Sequence, residues 1–190
     1  MTQIGRRPPA DEPSARPCRI ILVGMMGSGK TTVGRLLATR TGWPYHDNDE
    51  LLRARTGLTA RELHHQQGEA GLRAAENAAL HDGVSRPAPC ILGTAAGTII
   101  SQTSRDVLPR AGLVVWLRAR PETLAQRAAG GWHRPWLELD PVAWLAARSA
   151  ERDALYGQAA DLVVNVDTKL PAAVATAILS VARTAAACPP

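Results

Sequence analysis

Lys30 and Thr31 sit near the end of the stretch "GMMGSGKTT", residues 24–32, where Gly24, Gly27, Ser28, Gly29 and Thr32 complete a loop of the form G-x-x-x-x-G-K-[ST]. Glycines here let successive backbone N–H groups turn inward, and a helix opening at the end of the loop adds the partial positive charge of its N-terminus. Such a loop suits the phosphates of a nucleoside triphosphate. Lys30 is placed to reach the β- and γ-phosphates of ATP, and the Thr31 hydroxyl to ligate Mg²⁺. Every other basic residue except Lys169 is arginine. A lysine in the loop therefore points to a site that needs a compact charge, not a planar fork.

A phosphate loop alone does not separate ATPases, GTPases and small-molecule kinases. The segment "YHDNDE" carries Asp47 and Asp49 two apart, so in extended backbone both carboxylates point to the same side. One could serve the metal and the other meet an acceptor hydroxyl; an N-cap for "DELLRART" is the plainer alternative. Arg73 and Glu76 lie i, i+3 within "GEAGLRAAENAAL", a spacing that ordinarily makes a surface ion pair of little energetic weight. In "GGWHRPWL", Arg134 follows Gly130 and Gly131. Glycine hinges with an arginine fit a lid closing over transferring phosphate, although the glycines could equally end a helix. "ERDALY" sets Arg152 beside Tyr156.

The elements that must position these residues follow from hydrophobic patterning. Short apolar or β-branched runs predict strands over 19–24, 44–47, 90–94, 113–117 and 162–166. Between and after them, helices are predicted over 30–41, 59–82, 101–108, 121–128, 141–156 and 171–187. Continuous apolar strands separated by helices imply an α/β fold with a parallel sheet covered on both faces. Residues 1–17 hold four prolines without apolar periodicity and read as a disordered leader to a single domain spanning 18–190.

Composition narrows the partners. A chain of 190 residues can bury one substantial core, and no run approaches the ~20 apolar residues of a membrane span. Arg6 and Arg7 are not followed by an apolar segment, so no export signal is expected and the cytoplasm is the expected location. Cys18, Cys90 and Cys188 are far apart and odd in number, which argues for small buried residues over a disulfide framework or zinc site. The net charge is +5, but the basic residues are scattered, and a site for polyanionic ATP would itself favour positive charge. The expected partner is a small hydroxylated acid, with no nucleic acid and no membrane, and a monomer is expected.

The order of these motifs is specific in combination. "GMMGSGKTT", "DND", "GEAGLRAAE", "WHRPWL" and "RDALY" resemble the shikimate kinase family from about residue 19 to 185, in order and approximate spacing. The resemblance implies a three-layer sandwich with a five-stranded parallel sheet of the nucleoside-monophosphate-kinase type and a lid. It further implies ATP and Mg²⁺ as cofactors and phosphorylation of the 3-hydroxyl of shikimate. Carried onto matching positions, Thr31 and Asp47 would serve the metal, and Asp49 would bind the acceptor hydroxyl and help remove its proton. Arg73 and Arg152 would grip the substrate carboxylate, Ala96 and Gly97 would approach the ring, and Arg134 would come down with the lid onto ATP.

The chain departs from that pattern after the third strand. The family has three glycines where this sequence reads "TAAG", so Ala95 and Ala96 replace the first two and Gly97 remains. Were φ positive there, each alanine would cost about 1 kcal/mol or more, and two methyl groups would project toward the ring. Leu72 stands for the family's aromatic and Ala154 for its proline. Either the loop shifts and shikimate still binds, or the scaffold serves a different cyclitol, sugar acid or gluconate. A nucleotide-binding regulatory protein without catalysis is the alternative of another class. Retention of Asp49, Arg73 and Arg152 together favours shikimate.

Overall fold

The computed structural model describes residues 18–128 and 140–185, with side chains described to residue 183. Residues 1–17, read as a leader, and Gly130, Gly131 and Arg134 of the expected lid lie outside them. Five strands, β1 (Arg19–Val23), β2 (Tyr45–Asp47), β3 (Cys90–Gly93), β4 (Leu113–Arg118) and β5 (Leu162–Asn165), form one sheet in the order β2-β3-β1-β4-β5. All neighbouring pairs are parallel, with Leu22 opposite Gly93 and Val23 opposite Trp116. The helices are α1 (Lys30–Thr41), α2 (Asn48–Thr56), α3 (Ala60–Val84), α4 (Gln102–Ala111), α5 (Pro121–Ala128), α6 (Pro141–Ala159) and α7 (Pro171–Ala185).

Strand alternation sends the side chains of β1 into two cores. Ile21 and Val23 join Leu52, Leu63, Leu80, Val114, Trp116 and Tyr156 on the face covered by α2, α3, α4 and α6. Ile20 and Leu22 join Val33, Leu37, Val115, Val164, Val174 and Ile178 on the face covered by α1 and α7. Every residue of β1 is buried, Arg19 included. Its guanidinium donates to the carbonyls of Ala111 (2.9 Å) and Arg86 (2.6 Å) and to Cys90 Sγ (3.2 Å), which offsets the cost of burying the charge.

Three expectations need correction. α2 begins at Asn48, so strand geometry does not persist through Asp49, and the "DELLRART" stretch is helical. The helix expected over 59–82 runs to Val84 and breaks at Gly68, where φ is 68° and ψ is −172°. Cys90 is buried and free as expected, but Cys18 is disulfide-bonded.

Parallel strands put all their carboxyl ends on one edge of the sheet, which is where open α/β sheets bind ligands. Gly24 follows β1, Asp47 ends β2, Thr94 follows β3 and Val166 follows β5. Segments as far apart in the chain as Gly24 and Val166 thus converge.

Candidate functional site

The loop from Gly24 to Thr31 is shaped by space as much as by dihedral freedom. Gly24 and Gly27 have φ of 142° and 77°. A Cβ at Gly24 would lie 2.6 Å from the Leu117 carbonyl oxygen, and one at Gly27 2.7 Å from that of Leu124. Gly29, at φ 91°, caps α1 without a side-chain bond, so the first-turn N–H groups point outward as phosphate donors. Lys30 folds back over the loop, Nζ donating to the carbonyls of Gly24 (2.8 Å) and Met25 (3.0 Å). The Ser28 hydroxyl is buried without a hydrogen bond. A cradle of outward N–H groups, a lysine and an unpaired hydroxyl fits a triphosphate.

Asp47 caps a helix with one oxygen and meets the phosphate loop with the other. It is the N-cap of α2, its Oδ1 accepting from the Asp49 backbone N–H at 3.0 Å, while Oδ2 accepts from the Thr31 hydroxyl at 3.0 Å. Oδ2 also accepts from the Tyr45 hydroxyl at 2.7 Å. Burial, reinforced by the Asp47 charge, pushes the Tyr45 phenol well above its ordinary value, so it is a neutral donor. Among the described residues no group of three or more His, Cys, Asp or Glu could hold a metal. One hydroxyl and one carboxylate beside a phosphate cradle nevertheless match Mg²⁺, which takes few protein ligands and completes its shell with phosphate and water.

The arginines lie across the turn after β3. Arg73 pairs with Glu76 at 2.5 Å and Glu69 at 3.1 Å. Glu76 is buried, so this is not the surface ion pair its spacing suggests. Burial pushes the Glu76 carboxyl up; the Arg73 charge opposes this, and the Asp49 charge adds to it. Arg152 is 4% exposed; its Nη1 donates to the Ala96 carbonyl at 3.4 Å. The Glu151 carboxylate is 3.8 Å from Nε. Burial, with the Arg73 charge contributing, lowers the Arg152 pKa. The Nε atoms of Arg73 and Arg152 are both buried without a hydrogen bond. Two guanidiniums at one turn, each with an unused Nε donor, have the chemistry to take a carboxylate, although Arg73 also pairs with Glu69 and Glu76.

The "TAAG" turn itself explains which glycine is needed. Gly97 has φ −82°, an ordinary right-handed conformation, so its role is not conformational. A Cβ there would overlap Arg73 Nη1 and lie 2.5 Å from Glu76 Oε2. Ala95 is buried, and only Ala96 of the two alanines is partly exposed. The Tyr156 hydroxyl donates to the Ala96 carbonyl at 2.8 Å, and its ring stacks on Trp116 at 5.6 Å between centroids. Tyr156 and Arg152, one turn apart on α6, thus hold the turn from one side.

Sequence reasoning missed a cavity wall beside the phosphate loop. A cavity of about 400 Å³ opens beside Ser28, Gly29 and Thr32, lined also by Arg127, Asp167, Lys169, Leu170 and Pro171. Arg127 donates to the Val166 carbonyl at 2.7 Å, tying α5 to the end of β5. The available signal was topological: the turn after the last strand shares a sheet edge with the phosphate loop. Asp49 stands in the first turn of α2, exposed, and its charge is felt by Glu76. Lys30, Thr31, Asp47 and Asp49 are thus gathered by the loop and the α2 cap, and Arg73 and Arg152 by the turn after β3, with Glu76 feeling the Asp49 charge. Arg134 is not among the described residues. No helix among the described residues is long and apolar enough to cross a membrane.

Comparison with known proteins agrees with this geometry. The sequence profile of the family described as shikimate kinase matches residues 26–183. A shikimate kinase of Symbiobacterium thermophilum is 42% identical over 156 residues, 79% of this chain and 87% of that protein. One from Thiobacillus denitrificans is 38% identical over 147 residues, covering 77% and 80%. The structure of a shikimate kinase from Acinetobacter baumannii, in complex with shikimate, superposes with a TM-score of 0.83 at 34% identity, covering 89% of this chain and 94% of that one. With this phosphate loop, capping carboxylate and pair of arginines, and with this likeness along most of its length, the chain belongs to the shikimate kinase family.

Proposed function

We propose that the protein transfers the γ-phosphoryl group of ATP to a hydroxyl of shikimate, giving shikimate 3-phosphate and ADP. The observation that carries the acceptor side is the pair of half-buried Arg73 and buried Arg152 at the Ala96–Gly97 turn, each with a buried Nε that makes no hydrogen bond. A ring carboxylate would take those donors and separate the two positive charges. Family membership and the relative with shikimate bound support the same acceptor.

Mg²⁺, held by Thr31 and Asp47, would supply charge neutralisation on the phosphates. Lys30 would exchange its carbonyl partners for phosphate oxygens. Asp49 would accept the hydroxyl proton as the hydroxyl oxygen bonds to the γ-phosphorus and the bond to the bridging oxygen breaks. Arg134, carried by the lid, would add charge where the transferring group becomes most negative. Gly24, Gly27, Ser28, Gly29 and Thr32 would bind the nucleotide. Ala96 and Gly97 would form the floor beneath the acceptor. Because Asp49, Arg73 and Arg152 are all retained, the replacement of two glycines by Ala95 and Ala96 is taken as a tolerated variation.

A coupled ADP-release assay with ATP and Mg²⁺ tests this, with shikimate, quinate, gluconate, a cyclitol panel, AMP and no acceptor in parallel. Saturable turnover with shikimate alone is expected. Turnover with another acceptor, or with none, overturns the assignment.

A further inference from the structure

Tyr45 takes no part in the chemistry above, yet its side chain is held in one place by two elements besides its own. A Cβ added at Gly34 of α1 would overlap the Tyr45 ring, and one added at Gly93 at the end of β3 would overlap its hydroxyl. The absence of two side chains makes the notch that admits the phenol. The hydroxyl meets Asp47 Oδ2 at 2.7 Å, the oxygen that also accepts from Thr31 Oγ1 at 3.0 Å, while Oδ1 accepts the Asp49 N–H at 3.0 Å. A carboxylate offers about four lone-pair sites. Three donors, from β2 itself, α1 and α2, therefore hold the group in one orientation, with Oδ2 doubly engaged and the remaining lone-pair site on Oδ1. Phenylalanine would fill the notch as well as tyrosine does. The ring serves packing; the hydroxyl serves the carboxylate.

Resting on the reading that Thr31 and Asp47 serve the metal, the geometry points to Tyr45 as a positioning residue whose hydroxyl orients Asp47 toward Mg²⁺. It touches neither the acceptor nor the reacting atoms. Hydrogen-bond partners of metal-serving groups typically alter metal affinity by about 10- to 100-fold when removed.

The test is calorimetric titration of ADP into the full chain with excess Mg²⁺ and again with EDTA, for the parent, Tyr45→Phe and Asp47→Asn. The parent is expected to bind ADP more tightly with Mg²⁺, and Asp47→Asn to lose that gain. Tyr45→Phe is expected to keep metal-free ADP affinity and melting temperature while the magnesium-dependent gain falls about tenfold. An undiminished gain overturns the inference. So does an equal loss of affinity with and without metal, which would make the hydroxyl a support of the loop. A parent with no magnesium-dependent gain fails before any substitution is made, and there the metal reading of Thr31 and Asp47 falls together with the inference built on it.

Discussion

Gly97→Ala isolates the acceptor site with a single methyl group. At φ −82° and ψ −18° alanine meets no backbone penalty, and Gly→Ala in a compatible conformation would ordinarily stabilise by about 0.4–1 kcal/mol. Any loss must therefore be steric. The new Cβ would overlap Arg73 Nη1 and crowd Glu76 Oε2 at 2.5 Å, so the guanidinium has to leave. Breaking a fully buried ion pair costs about 3–5 kcal/mol. Arg73 is 26% exposed and already bonded to the more exposed Glu69, so it can swing outward, and a stability loss of about 1–3 kcal/mol is expected. The acceptor loses one charged fork, about 1.5–3 kcal/mol, which converts to roughly a 10- to 150-fold higher acceptor KM. Coupled ADP release gives the two KM values and urea melts give the stability. Gly97→Ala combined with Arg73→Ala should bind the acceptor no worse than Arg73→Ala alone, because the methyl acts by displacing that arginine. An unchanged acceptor KM, or an equal rise in the KM for ATP, would refute the reasoning.

Lys30→Ala should nearly abolish turnover, since its ammonium lies over the loop carbonyls where phosphates would bind; near-normal rates would remove the phosphate-loop mechanism. Asp49→Asn should lower kcat by about 10²-fold or more with little change in the KM for ATP, and an unchanged kcat would reassign Asp49 to structure. Glu76 titrates above its ordinary value of 4.5, with burial as the main cause. Its contribution to stability is thus complete below about pH 4.5 and is lost as pH rises through the raised value. Glu76→Gln cannot ionise, so its stability measured in urea should decline less than the parent's across that range. Equal slopes would show that Glu76 ionises without penalty.

Local chemistry made much of this protein legible from its sequence. The phosphate loop is continuous, so the spacing of Gly24, Gly29, Lys30 and Thr31 already specified a turn, a helix N-terminus and a charge. Strands such as Arg19–Val23 and helices such as Pro121–Ala128 followed from apolar runs, Pro starts and helical spacing, all interactions of a few residues. α2 was harder because an Asp47 that caps a helix and an Asp47 that faces the phosphate loop have the same local sequence; here one oxygen caps α2 and the other meets Thr31. The burial of Glu76, the crowding at Gly97, the wall formed by Arg127 and Lys169, and the notch around Tyr45 arose only when the strand order β2-β3-β1-β4-β5 was in place. Each depends on distances between segments tens of residues apart, and those distances are set by how the sheet and its helices pack, to which residue type and spacing along the chain are blind.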